Sequence, residues 1–165
     1  MLEFKTPQIE DKAWVDQCFK HLKTMNCDYT FGNMFVWSTE YSTKICRFKD
    51  FFICSWGMGK EKNFGMPVGK GDFKEAVEEV IKYAKANDIM PRFYGVTEAY
   101  VEMLNENFPD AFQFLYDESY GDYIYEVEKM ASLKGKKYHG KRNHITNFKK
   151  NNPNWSFETI NKDNI

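Results

Sequence analysis

Several things are scarce in this chain, and each scarcity excludes something. Its four cysteines, Cys18, Cys27, Cys46 and Cys54, form no CxxC pair, and Cys18, Cys46 and Cys54 stand beside apolar residues, so they read as small buried hydrophobes and not as ligands or disulfides. There are three histidines, and His139 and His144 lie five apart with no cysteine nearby, so no metal site is expected. No HExxH, nucleophile elbow, Ser-His-Asp order or kinase signature occurs, and no general acid or base is assigned. No apolar run approaches the roughly 18–20 residues that span a bilayer, and the opening Met1-Leu2-Glu3-Phe4-Lys5 lacks a leader's apolar segment. The expected location is the cytoplasm.

Aromatic residues, by contrast, are abundant: fifteen Phe, ten Tyr and four Trp make 18% of 165 residues. Each buried aromatic removes about 150–250 Å² from water, so core material is plentiful. The net charge of −1 hides a segregation. Residues 1–133 carry fifteen Lys/Arg against twenty-two Asp/Glu, whereas residues 134–165 carry eight against two. Between Lys134 and Lys150 there are seven Lys/Arg, two His and no acid, a composition suited to phosphate or another anion.

Periodicity supplies the elements. Trp14, Val15, Cys18, Phe19 and Leu22 recur at helical spacing, predicting a helix that begins at Thr6-Pro7 or Asp11 and ends near Lys23. Phe31 to Trp37 reads as a short buried helix. Lys44 to Lys49 and Phe51 to Trp56 predict a tight hairpin about Lys49-Asp50, and Gly57-Met58-Gly59 ends it. Phe64 to Val68 reads as a strand, followed by a helix with its apolar stripe on Phe73, Ala76, Val77, Val80, Ile81 and Ala84, an Asp72 cap and a capping box with Glu75. Arg92 to Val96 reads as a strand and Thr97 as the cap of a helix carrying Tyr100, Val101, Leu104 and Phe108. Further strands are read at Phe112 to Tyr116, Asp122 to Tyr125 and Trp155 to Ile160, and a helix from Lys136 to Lys150 before Pro153. The alternation implies an α/β (α+β) domain on a mixed sheet flanked by helices.

Two places could hold phosphate. The Gly69-Lys70-Gly71 turn enters a helix after a strand, where free N–H groups can meet an anion, although such glycines also serve simply as turn residues. In the basic segment Lys134, Lys137, Lys141 and His144 would share one helical edge, and Arg142 could make a bidentate contact; the competing reading is a solvated helix that offsets the acidic remainder. Asn33 stands out as a polar residue in an apolar run, and Trp37 reads as core.

Taken in order, Tyr29 to Trp37, Gly65 to Asp72, Asp122 to Tyr125 and Leu133 to Phe148 resemble the phosphatidylglycerol lysyltransferase C-terminal domain family. That resemblance implies a GNAT-like (acyl-CoA N-acyltransferase-like) fold in tandem halves. Residues 1–133 would be the N-terminal GNAT-like domain, 134–152 a basic connecting helix, and 153–165 the first strand of a second domain that is missing. It implies an acyltransferase moving an aminoacyl group from aminoacyl-tRNA, with acyl-CoA the other possible co-substrate, to a lipid or other hydroxyl or amine acceptor. Lys136, Lys137, Lys141 and Arg142 would contact phosphates of tRNA or of an anionic lipid headgroup, with His139, Asn143 and His144 beside them and Asn33, Gly69 and Gly71 as lesser candidates. This portion alone would be inactive. The alternative is a non-catalytic scaffold whose basic helix docks the second half.

Overall fold

The computed structural model describes residues 2–20, 22, 24, 26–118, 121 and 123–164. The chain divides into two compact units, residues 1–117 and 118–165.

The first unit is built on a hairpin. Strands β1 (Lys44–Phe48) and β2 (Phe51–Trp56) pair antiparallel in the register Phe48↔Phe51, which leaves Lys49-Asp50 as the turn expected from sequence, with Lys49 left-handed at φ 52°. The expected Phe64–Val68 strand is two strands, β3 (Asn63–Gly65) and β4 (Val68–Gly69), both antiparallel to β2. Pairs Ser55↔Phe64 and Phe52↔Val68 differ in register by one residue, so Met66-Pro67 is a bulge, in keeping with a proline that has no N–H to donate to the ladder. Strand β5 (Phe93–Tyr94) adds parallel to β3 and is shorter than the expected Arg92–Val96. Gly95, at φ 66°, turns the chain away.

Helices cover both faces of this mixed sheet. Helix α1 (Lys12–Phe19) follows a one-turn 3-10 segment, Ile9–Asp11, and ends before the expected Lys23, which lies outside the described residues. Helix α2 (Phe31–Trp37) has the expected limits, with the Thr30 side chain accepting from the Asn33 N–H. Together α1 and α2 bring Val15, Cys18, Phe31 and Met34 against Ile45 and Phe52. On the other face α3 (Phe73–Ala86) sets Val80 and Ala84 on Ile53 and Phe64, while Phe73, Ala76 and Val77 meet Phe51 and Met66. Helix α4 (Glu98–Asn107) adds Tyr100 and Leu104 to that layer. At α3 the Asp72 carboxylate accepts from the Glu75 N–H at 3.0 Å, but Glu75 pairs with Lys49 and does not close the expected box. Thr97 occupies the cap position of α4 without a side-chain hydrogen bond.

One buried carboxylate fastens the entry to α1. Asp11, 4% exposed, accepts from Lys5 Nζ at 2.6 Å, from the Gln8 N–H at 2.9 Å and from Trp14 Nε1 at 2.9 Å. Burial alone would raise this carboxyl, yet the hydrogen bonds from Lys5, Trp14 and Gln8 outweigh it and hold the group below its ordinary value.

Three expected strands are extended segments without a ladder. Phe112–Tyr116 and Trp155–Ile160 pair with nothing among the described residues; Tyr123–Tyr125 is likewise unpaired, and Asp122 lies outside the described residues. Strand propensity reports a fit to a pleated surface, and a strand needs a neighbour to donate to and accept from. Helix α5 (Val127–Ser132), for which no element is expected from sequence, follows the Tyr123–Tyr125 segment. Trp37, expected in the core, is 47% exposed, because α2 turns Phe31 and Met34 inward and leaves Val36 and Trp37 outside.

The cysteines separate by environment. Burial pushes the Cys54 thiol up to about 12 and raises those of Cys18 and Cys46, while Cys27 is exposed. A raised thiol holds its proton at pH 8, so little thiolate is available to react. With a thiol reagent at pH 8 the native chain is expected to lose one thiol, Cys27, quickly and the other three only on unfolding. Mass mapping that finds Cys54 modified as fast as Cys27 would contradict this packing.

Candidate functional site

The basic segment lies in the second unit. Here α5 ends at Leu133, which is left-handed at φ 46°, and Gly135 follows at φ 96°. A 3-10 turn, Lys136–Tyr138, leads into α6 (His139–Asn151), in place of one helix running from Lys136. The expected cationic edge therefore loses its first member. Lys134 precedes Gly135 and is not on the helix, Lys137 sits in the 3-10 turn, and Lys141 and His144 share a face of α6 as i, i+3 neighbours. Asn151 ends the helix, Asn152 Nδ2 donates to the Phe148 carbonyl at 2.9 Å, and Pro153 lies just beyond, as expected.

Arg142 organises the turn before the helix. Its Nη1 donates to the Leu133 carbonyl and, at 2.9 Å, to the Gly135 carbonyl, and the residue is half-buried. This binds together the two left-handed positions that redirect the chain, so one arm of the fork is already occupied. His139 and Asn143, one turn apart, meet at 3.2 Å between Nε2 and Nδ2 and steady each other. Lys141 Nζ lies 5.2 Å from the centroid of the Tyr125 ring and Lys149 Nζ 5.0 Å from that of Trp155, both within cation–π range. Lys136, Lys137 and His144 are exposed, and no carboxylate pairs with any of the three among the described residues. An array of solvated ammonium groups on a short scaffold can meet several phosphate oxygens at once, as point charges and not as a shaped pocket.

The lesser candidates have structural roles. Asn33 Nδ2 donates to Asp28 Oδ1 at 2.9 Å, which ties the start of α2 to the preceding turn. Gly69 lies against the hairpin turn, where a Cβ would come within 2.1 Å of the Asp50 carbonyl oxygen. Gly71, at φ 140°, has the Phe51 ring where a side chain would stand. Both glycines permit close packing on the β1–β2 turn. Sequence reasoning found the segment from its charge, but nothing in its pattern signals that Arg142 is held by carbonyls set in place by Leu133 and Gly135. Among the described residues no three His, Cys, Asp or Glu side chains gather as metal ligands, and no helix is long and apolar enough to cross a membrane.

The profile of the family described as phosphatidylglycerol lysyltransferase, C-terminal, matches residues 19–165, and the chain belongs to that family. It is similar to a crystal structure described as a conserved protein of unknown function from Bacteroides thetaiotaomicron VPI-5482, at 32% identity and a TM-score of 0.80, over 99% of this chain and 55% of that one. The chain thus spans about half the length of that solved relative. No curated protein matches it.

Two substitutions test these assignments. Gly69→Ala is expected to cost about 3 kcal/mol through backbone collision, read as a fall in Tm of about 10 °C; an unchanged Tm would refute the close approach. Arg142→Ala is expected to open the first turn of α6, read as about tenfold faster amide exchange at residues 139–143, and Arg142→Lys to restore it only in part.

Proposed function

We propose, with membership of the phosphatidylglycerol lysyltransferase C-terminal family as the premise, that this chain is the N-terminal half of a GNAT-like acyltransferase that moves an aminoacyl group from aminoacyl-tRNA to a hydroxyl or amine acceptor. On this reading residues 1–133 form the first GNAT-like domain, 134–152 the connecting basic segment and 153–165 the first strand of a second domain. The acceptor's O–H or N–H attacks the ester carbonyl, the ester bond to the tRNA ribose breaks, and the acceptor proton ends on the freed ribose hydroxyl. The rate comes from holding donor and acceptor together. A tRNA donor would place the reaction in the cytoplasm, and an anionic lipid headgroup is one acceptor that the same cations would suit.

The observation that carries this reading is the acid-free run from Lys134 to Lys150, in which Lys136 and Lys137 have no carboxylate partner among the described residues. Lys136, Lys137 and Lys141 would meet tRNA phosphates, His139, Asn143 and His144 would stand beside them, and Arg142 would fix the turn that presents them.

A scaffold role is the second reading, and a specific feature favours it. In the second unit the side chains of Tyr123 (88% exposed), Phe157 (88%) and Ile160 (77%) face water, and such exposure suits residues covered by another domain. In that case the basic face would meet carboxylates within the protein.

The test is anisotropy of labelled tRNA with the 165-residue chain across a salt series. Replacing Lys136, Lys137 and Lys141 together by Ala is expected to flatten the slope of log K against log salt by about two to three and to weaken binding at every salt concentration. An unchanged slope would overturn the phosphate role and favour the scaffold.

A further inference from the structure

A second cationic feature lies wholly within residues 1–117 and shares no residue with the basic segment. Three chain segments line an open cleft of about 210 Å³: Trp14, Gln17 and Cys18 of α1, Arg47 and Asp50 at the tip of the hairpin, and Lys70 in the β4–α3 turn. We propose that this cleft binds a small phosphate monoester.

The walls are fixed by contacts already formed. Trp14 is held through Nε1 by the buried Asp11 carboxylate, and Cys18 Sγ donates to the Asp50 carbonyl at 3.6 Å. Burial raises the Cys18 thiol, which keeps the floor of the cleft uncharged. Arg47 Nε donates to the Lys49 carbonyl at 3.1 Å, and its guanidinium carbon lies 5.9 Å from the centroid of the Trp14 ring. The fork is therefore oriented without a ligand. Gly69 lets Lys70 approach, because only a residue without a Cβ can lie on the Asp50 carbonyl.

The charges do not balance. Arg47 Nη2 is 3.7 Å from Asp50 Oδ1, so one cation is compensated in part, whereas Lys70 has no ion pair or hydrogen bond among the described residues. One positive charge is left over at a solvent-open cleft with an apolar wall, where it is available to an anion. A phosphate monoester is close to doubly charged at neutral pH and can engage a guanidinium and an ammonium together, which suits it better than a carboxylate. The cleft is open to solvent and smaller than the roughly 300–1,000 Å³ of pockets that enclose drug-sized ligands, so what it can receive is one phosphate group with a compact organic group beside Trp14.

The experiment titrates the ¹⁵N-labelled 165-residue chain with phenyl phosphate and, separately, with inorganic phosphate, following the Trp14 indole N–H resonance assigned through Trp14→Phe. Phenyl phosphate is expected to shift that resonance saturably in the millimolar range and to bind more tightly than inorganic phosphate. Lys70→Ala and Arg47→Ala are each expected to weaken it about tenfold, and a native-like dispersion of backbone amide resonances in the free variants shows that they are folded. No saturable shift at Trp14, or an undiminished shift in folded Lys70→Ala, would overturn the site. Equal affinity for the two probes would overturn the monoester assignment.

Discussion

Strand β2 is the constraint on which the first unit rests. It is paired along one edge by β1 and along the other by β3 and β4, and its side chains are divided between two helical layers. Ile53 and Phe51 go to α3 while Phe52 goes to α1 and α2, and all three are essentially inaccessible. A strand buried on both faces has no freedom of register, since a slip by one residue would exchange the two layers. The hairpin tip is therefore a rigid post. Gly69 packs on it from one direction and Cys18 donates to it from another, so the positions of Arg47, Asp50 and Lys70 all follow from the register of β2.

What could be read from the sequence divides according to how local the cause is. Helix α3, its Asp72 cap and the Lys49-Asp50 turn follow from neighbours within a few residues, and the structure has them where the periodicity sets them. The limits of α2 came from Thr30 and the apolar run, but the orientation of that helix did not: Phe31 and Met34 won the core, and Trp37, the largest side chain, was left outside because one short helix buries one face. The split of the Phe64–Val68 strand could have been anticipated from Pro67, which cannot donate to a ladder. Leu115, Tyr116, Ile124 and Phe157 have the side chains of strand residues, and no propensity could tell whether a neighbouring strand stood beside them.

The candidate site was legible as charge and not as geometry. An acid-free run is visible in any reading of residues 134–150, whereas the turn that leads into its helix is set by Leu133, a leucine in a left-handed conformation that few sequences would advertise. Arg142 explains how such a conformation is tolerated. It donates to the Leu133 carbonyl at the end of α5 and to the Gly135 carbonyl that opens the 3-10 turn, so a residue singled out for an external anion also serves the backbone.

The two cationic features differ in kind, and the difference bears on selectivity. Lys136 and Lys137 are solvated ammonium groups whose attraction for a polyanion is screened over about 8–10 Å at ordinary ionic strength, so they favour any chain of phosphates and discriminate weakly among them. Arg47 and Lys70 act at the wall of a cleft, where Trp14 and Cys18 exclude part of the solvent and Asp50 adds a charge of opposite sign. There the anion must fit as well as attract. A ligand too large for the cleft cannot bring one anionic group to both cations, and gains little from them. On the proposed roles, affinity in the basic segment would follow the number of phosphates presented, and affinity in the cleft would follow the shape of one.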